Sequence, residues 1–543
     1  MSNNKIVRGT FLLTGAAFIS KFLGMIYIIP FNELVGAKGA ALYYYAYNPY
    51  TILISISTVG IPLAVSKMVS KYNSLEDYDT GLRIFRASFI LMAITGTLAF
   101  LTLFFSAEWL ASKFVHDDQY SNKVEDVKQV IQMVSFALIL IPSMSVVRGY
   151  FQGNQKMEPT AISQVVEQIV RIAFVLISVF IVIKVYKGSI PLAVSFATFA
   201  AFVGALASCG VLLLAWIKRN QLLPDVTIGE QKLTNEYKST KELFVELLSY
   251  AGPFILVGIA TPLYQFVDTF TFNRAMIVSG YGEISELSLT AITFLGHKLI
   301  IIPVTLATGL SLTIVPALTE SFTQQNRPKL IKEMNQALQL VLFFVIPAVF
   351  GLMALSYEAY GSLYGMENLD ITGDLLRWYS PVALLFALFT VSSAILQGIN
   401  EQRFAVLSLL AGFLIKVLFN SMLIQMFAGK GSIIATGLAV GAASFINLWR
   451  IKRAINFSFV QTFKRTLFMV IFSIVMFVVI YIVKVIFGLF LPYEESRFAA
   501  VIMLSVGVAV GGAVYLWLTY KSTLMEYVLG STNILNRFRR KKS

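Results

Sequence analysis

A small set of charged residues lies inside stretches otherwise built from Leu, Ile, Val, Phe and Ala. The cations are Lys21, Arg171, Arg274, Lys298, Lys416 and Lys484, and the acids are Glu167 and Asp268. A Lys or Arg at mid-bilayer costs about 2.5–3.5 kcal/mol on insertion scales. Several of them facing lipid would together cost about as much as the whole net stability of a protein. They are therefore expected to face protein or water. Ammonium and guanidinium groups bind phosphate through charge-assisted hydrogen bonds, which strengthen away from bulk water. An interior rich in cations and poor in acids suits an anionic cargo. A carrier of cationic drugs would want the opposite balance.

Each of these residues also has a plain structural reading. Glu167 and Arg171 are spaced i,i+4 and are expected to pair on one helix. Arg274 and Lys484 stand near the ends of their spans, where long side chains reach the interface. Lys484 could otherwise line a groove between the last two helices. Lys416 is either a cation hydrogen-bonded to carbonyls or part of a phosphate-binding set. Asp268 is read as a counter-ion for Lys298 or Arg274, with a cation site as the alternative, and Asp268, Glu167 and His297 together are the counter-ion or coupling candidates. His297 is either a hydrogen-bonded interior residue or a proton switch. Lys21, in FISKFLGMIY, and Lys298, in LGHKLIIIP, lie too far from the span ends for easy snorkelling. Both are expected to line a central cavity.

The elements that must position these residues follow from composition. Of 543 residues, 57% are hydrophobic and 13% charged; soluble domains run near 25% charged. So apolar a chain cannot bury its surface in one soluble core. A soluble enzyme, a disordered chain and a disulfide scaffold are excluded, and an all-α polytopic membrane protein remains. The single cysteine, Cys209, lies in an apolar run and reads as a small buried residue. A spanning helix needs about 20 mostly apolar residues. Fourteen transmembrane helices are expected, over 8–30, 41–64, 83–105, 128–151, 160–184, 190–217, 245–273, 289–318, 335–356, 377–398, 404–427, 432–450, 466–490 and 498–520. Gly60-Ile61-Pro62, Gly252–Pro253, Ile302–Pro303 and Ile346–Pro347 are expected to weaken them, as hinges or static kinks.

An even number of spans puts both termini on one side. On that side basic residues outnumber acids by about two to one, and on the other side acids prevail, which places the termini in the cytoplasm. Most of the net charge of +14 is thus topology signal and attraction to anionic membrane lipids, not a nucleic-acid footprint. The polar stretch 219–243 reads as a cytoplasmic linker. Around it the sequence repeats at an offset of about 245 residues. Gln152–Gly153 falls on Gln397–Gly398, Ser163 on Ser408, and Arg171 on Lys416. At an offset of about 249, TVGIPLAVS (58–66) meets TGLSLTIVP (308–316). The organisation expected is an N-lobe of six helices over 1–218, the linker, and a C-lobe of six over 244–453. These two lobes stand in pseudo-two-fold arrangement. Two C-terminal helices over 454–520 lie outside the repeat, and a basic tail covers 521–543. Parallel repeats of this kind build alternating-access transporters.

The segment SKFLGMIY (Ser20–Tyr27) resembles the Ser-Arg-x-x-Gly-x-x-Arg signature of the MurJ lipid II flippases. HKLIIIP and GLSLTIVPALTESF (Gly309–Phe322) resemble that family's eighth span. The family belongs to the multidrug/oligosaccharidyl-lipid/polysaccharide (MOP) exporter superfamily. The likeness covers the whole chain and is greatest to the Gram-positive branch of YtgP and SpoVB. It implies that Lys21 replaces the first signature arginine and Lys298 the cavity arginine of span eight. Tyr27 stands where a second signature arginine would be, and Ile301 where an acid would follow Lys298. Arg171, Lys416 and Arg148 could supply the missing positive charge. The resemblance implies transport of lipid II from the inner to the outer leaflet of a bacterial plasma membrane. It also implies a groove at spans thirteen and fourteen for the prenyl tail, and association with cell-wall synthesis machinery.

A monomer without cofactors is expected, and no G-x-x-x-x-G-K-[ST] motif for nucleotide is found. The outer loops are short, and Asp117, Asp118, Glu125 and Asp126 read as a solvated face, so no enzyme is expected. The alternative cargo is another polyprenyl-pyrophosphate glycan of teichoic, capsular or spore-cortex type; a MOP drug/ion antiporter is a further alternative.

Overall fold

The computed structural model describes residues 26–58, 60–74, 77–115, 122–218 and 258–529, with a few isolated positions before 26 and between 218 and 258. The linker 219–243, apart from Glu242, lies outside the described residues, as do Gly252–Pro253 and the end of the basic tail. The described residues form helices and no strands. In chain order they are α1 (Ile28–Thr58), α2 (Ile61–Ser74), α3 (Tyr78–Phe114), α4 (Val124–Gly153), α5 (Glu158–Val185), α6 (Ile190–Ile217) and α7 (Ala260–Val278). Then follow α8 (285–323), α9 (Arg327–Ala354), α10 (Ser356–Tyr364), α11 (Leu369–Gly398), α12 (Gln402–Phe427), α13 (Gly429–Ile455), α14 (Val460–Gly488) and α15 (Arg497–Lys521).

Among the described residues, 11 helices are long and apolar enough to cross a membrane. They coincide with expected spans three to six and eight to fourteen. The other three spans touch residues outside the description or are broken. In α1, Gly36 has φ 66°, a left-handed value that a side chain would strain. The chain turns there, so α1 joins the end of the first expected span to most of the second. The second span then breaks at Gly60, and Pro62 sits in the first turn of α2, where its missing N–H costs nothing. The expected weak points at Pro303 and Pro347 lie instead within continuous helix. Less than a quarter of the apolar stretch of α3, α5 or α14 is buried within the protein, so the remaining apolar surface of these helices needs a lipid solvent.

The chain forms two compact units, Met1–Asn273 and Arg274–Ser543. The first thus extends past 218 and takes in the first part of α7. Tyr44 Oη donates to Gln265 O at 3.1 Å, and Asn273 Nδ2 donates to Tyr45 Oη at 2.6 Å and to Phe114 O at 3.1 Å. Phe114 packs on Phe266 and Phe270.

The repeat expected from sequence appears inside each unit as one joint. A Cβ on Gly153, at the end of α4, would come within 2.8 Å of Ser66 O and Val69 Cβ on α2. A Cβ on Gly398, at the end of α11, would come within 2.7 Å of Leu318 Cβ, with Val315 O at 3.5 Å on α8. When 58–66 is laid on 308–316, Ser66 and Val69 fall next to Val315 and Leu318, as Gly153 falls on Gly398 at the offset of about 245. Absence of a side chain lets the two backbones close up, the usual device where apolar helices associate in lipid.

Candidate functional site

In the first unit the interior polar groups gather where α4, α5 and α6 meet the α1 hairpin. Arg148, near the end of α4, points between α5 and α6. Its Nη2 lies 2.7 Å from Glu167 Oε2 and 2.8 Å from Ser208 Oγ, and its Nε lies 3.0 Å from Ser163 Oγ. Both side chains of the Arg148–Glu167 pair are 13% exposed. Gly204 lets α6 approach this point, since a Cβ there would lie 2.8 Å from Glu167 O. The expected Glu167–Arg171 pair is therefore replaced. An i,i+4 pair on one helix is worth only about 0.2–0.5 kcal/mol. Arg148 instead offers Glu167 a guanidinium whose other donors are met by two hydroxyls.

Arg171, one turn further along α5, turns to an aromatic group. Its guanidinium carbon sits 5.0 Å from the centre of the Tyr47 ring. Tyr47 stacks on Tyr43 at 4.4 Å and 14°, and Tyr43 Oη lies 3.0 Å from Tyr27 Oη. Tyr50 packs edge-on to Tyr47. Arg171 Nε is buried without a hydrogen-bond partner among the described residues, as are Tyr47 Oη and Gln164 Oε1. Arg171 thus keeps hydrogen-bonding capacity in an aromatic surround that lowers the cost of burying its charge. Sequence reasoning missed Tyr43, Tyr47 and Tyr50. The signal was present in ALYYYAYNPY, where polar-tipped aromatics crowd a membrane span. Lys21 lies outside the described residues. Asp268 is buried on α7 at 3% exposure, and Arg274, six residues on, is exposed.

In the second unit the eighth span carries Lys298 in the first α-helical turn after a π-helical turn, Ala291–Leu295. Such turns arise mostly as single insertions at functional sites, because they re-aim the side chains that follow. Gly296 is needed there, since a Cβ would run into the Ala291 carbonyl. The Lys298 ammonium, half-buried, lies 5.7 Å from the centre of the Phe294 ring. His297 on the same turn is tied to α11: its Nδ1 is 2.9 Å from Tyr379 Oη, and its ring meets Phe386 edge-on.

Lys416 is fully buried on α12, and its ammonium donates to three oxygens of α13. Ser432 O is at 3.0 Å, Ser432 Oγ at 3.3 Å and Thr436 Oγ1 at 2.7 Å. That is the structural arrangement among its two expected readings. Lys484 is paired within its own unit. Its Nζ lies 2.7 Å from Glu358 Oε1 on α10, a carboxylate 1% exposed, and donates to Ala354 O at 3.1 Å. Nothing in the sequence spacing announced Glu358 as its partner. Beside this pair an apolar groove of about 510 Å³ is lined from α8, α9, α14 and α15, with Pro303, Pro347, Met476, Gly507 and Tyr515 among its walls.

Two helical units, each holding cations in an apolar bundle of membrane-length helices, make up a polytopic membrane protein. A solved structure described as lipid II flippase MurJ in an inward closed conformation matches with a TM-score of 0.67 at 16% identity, covering 96% of this chain and 99% of that one. An inward-facing multidrug resistance MATE transporter of the MOP superfamily matches with a TM-score of 0.62 at 15% identity, covering 80% and 94%. The family described as "Polysaccharide biosynthesis protein" matches residues 6–322, and that described as "Lipid II flippase MurJ" matches residues 290–497. The lipid II flippase MurJ of Bacillus subtilis (strain 168) is 45% identical over 531 residues, 97% of each chain. Stage V sporulation protein B of the same organism is 25% identical over 429 residues, 77% of each. The chain belongs to the MurJ family.

Proposed function

We propose that this protein moves lipid II from the inner to the outer leaflet of the bacterial plasma membrane by alternating access, with both termini in the cytoplasm. The observation that carries this reading is the 45% identity to the Bacillus subtilis flippase across nearly the whole of both chains. A sporulation-type cargo finds weaker support in the 25% relative. In this reading Arg171 and Lys298 are each phosphate contacts offered by their own unit, and the sequence offers Lys21 as a further cation. The Tyr27–Tyr43–Tyr47 group keeps Arg171 oriented, and Arg148, neutralised by Glu167, holds the helices rather than the cargo. The apolar groove of α8, α9, α14 and α15 takes the prenyl tail. A lysine is a point charge where an arginine is a planar fork. Contacts with phosphate through Lys298 therefore depend on charge more than on bidentate geometry.

The test is complementation. The gene is expressed in cells depleted of their lipid II flippase, and outer-leaflet lipid II is measured by its accessibility to an external probe. Growth and accessible lipid II should return with the unaltered chain and with Lys298→Arg. Both should fail with Lys298→Ala and Arg171→Ala at equal membrane abundance. Full rescue by the two alanine variants would sink the assignment of phosphate to these side chains. Failure of the unaltered chain to restore accessible lipid II would sink the cargo.

A further inference from the structure

A second apolar groove lies in the first unit, away from the aromatic–arginine cluster. It has a volume of about 670 Å³ and is lined by α3, α4 and α6, with Phe85, Phe89, Ile139, Val147, Leu212 and Trp216 among its walls. Phe85 stacks on Trp216 at 4.8 Å and packs on Tyr150, which fixes the floor of the groove. It sits at one end of the unit, where α3 begins and where α4 and α6 finish. Along α4 its walls run from residue 139 to residue 147, about 12 Å at 1.5 Å per residue. Volumes of about 300–1,000 Å³ are typical of small-molecule sites.

One charge marks the rim. Arg86 lines the groove and is exposed, and no hydrogen bond or ion pair to another described residue satisfies it. Arg83 and Lys218 stand at the same end of the unit. Of the acids in the first turns of α3, Asp77 is committed to capping Thr80 N at 3.0 Å, and Asp79 stands in the first turn. Trp216 at the last turn of α6 is the residue type enriched at the headgroup level. With the termini in the cytoplasm, this end of the unit lies in the inner leaflet, whose surface carries anionic lipid.

We propose that this groove is a binding site for an anionic phospholipid of the inner leaflet, one acyl chain lying against Phe89, Ile139 and Leu212 and the phosphate meeting the Arg86 guanidinium. The site is separate from the residues assigned to cargo, so its failure and theirs are distinguishable. Arg86 supplies a planar fork to the phosphate, and the aromatic floor supplies a rigid apolar wall. A zwitterionic lipid fills the same groove but gains less from an unpaired guanidinium. One basic residue near an anionic surface favours binding by about fivefold.

Cys209 is the single cysteine of the chain and lines the groove, so the unaltered protein carries its own reporter. The purified full-length chain in neutral detergent is alkylated with N-ethylmaleimide while palmitoyl-oleoyl phosphatidylglycerol, or the phosphatidylcholine of the same chains, is added. Phosphatidylglycerol should slow alkylation several-fold at concentrations where phosphatidylcholine does not. Arg86→Gln should raise the half-protecting concentration about fivefold. A Cβ on Gly210 meets no atom within 4 Å, so Gly210→Trp should fill the groove and abolish retention of phosphatidylglycerol in native mass spectra. If Gly210→Trp does not fold, Arg86→Gln carries the test alone. Equal protection by the two lipids, or no effect of Arg86→Gln, overturns the proposal. So does stronger protection by undecaprenyl phosphate, which would make the groove a prenyl site.

Discussion

Replacing Glu167 should destabilise the first unit through Arg148 and leave Arg171 nearly indifferent. Breaking a fully buried ion pair from one side costs about 3–5 kcal/mol, because the remaining charge stays buried and unpaired. Here Arg148 is 13% exposed and keeps Ser163 and Ser208 as acceptors, which softens the loss. Glu167→Ala is therefore expected to cost about 2–3 kcal/mol. Glu167→Gln keeps an acceptor oxygen and should cost about 1–2 kcal/mol. The decisive quantity is the coupling. A double-mutant cycle of Arg148→Ala with Glu167→Ala should give an interaction energy of about 1–3 kcal/mol. The cycle of Glu167→Ala with Arg171→Ala should give no more than about 0.5 kcal/mol, the worth of an exposed i,i+4 pair. Unfolding in mixed detergent micelles, followed by tryptophan fluorescence, measures all the variants on one scale. A larger coupling of Glu167 to Arg171 than to Arg148 would refute the arrangement described for this cluster.

Other perturbations are as specific. Lys484→Met leaves the Glu358 carboxylate, 1% exposed, without its cation and should cost about 3–4 kcal/mol; adding Glu358→Leu should recover most of it, read by the same unfolding assay. Gly153→Ala and Gly398→Ala place a Cβ within 2.8 Å of Ser66 O and 2.7 Å of Leu318 Cβ, so each should cost about 1–3 kcal/mol, while Gly210→Ala, with open space, should be neutral or stabilising by up to about 1 kcal/mol. Tyr27→Phe removes the hydrogen bond to Tyr43 and should cost about 0.5–1.5 kcal/mol, with the membrane-inserted amount of protein unchanged in a fractionation blot.

The spans were legible because their signal is one-dimensional. A run of about 20 apolar residues must satisfy its backbone internally whatever its neighbours are. Hence spans three to six and eight to fourteen appear where hydropathy put them. The repeat was legible for a related reason: Gly153 and Gly398 are glycines because a partner backbone is close, so the letter itself carries tertiary information. Charge pairing was not legible. The spacing of Glu167 and Arg171 is compatible with a pair, but Arg148 lies on another helix, and only packing brings it to Glu167. Glu358 and Lys484 lie more than a hundred residues apart, and no periodicity links them. The expected boundary near 218 marked where the chain is polar. The compact unit runs on to Asn273, and within it the tyrosines of α1 reach α7.

The glycine joint bears on how such a molecule moves. Corresponding helix ends touch in both halves, although the intervening chain differs by about four residues, roughly one helical turn. Drift in length has been absorbed by the connections and refused by the crossing itself. Any change of shape that exposes cargo first to one leaflet and then to the other must carry each crossing along intact. Bending is left to places where the backbone is already released, such as the break at Gly60.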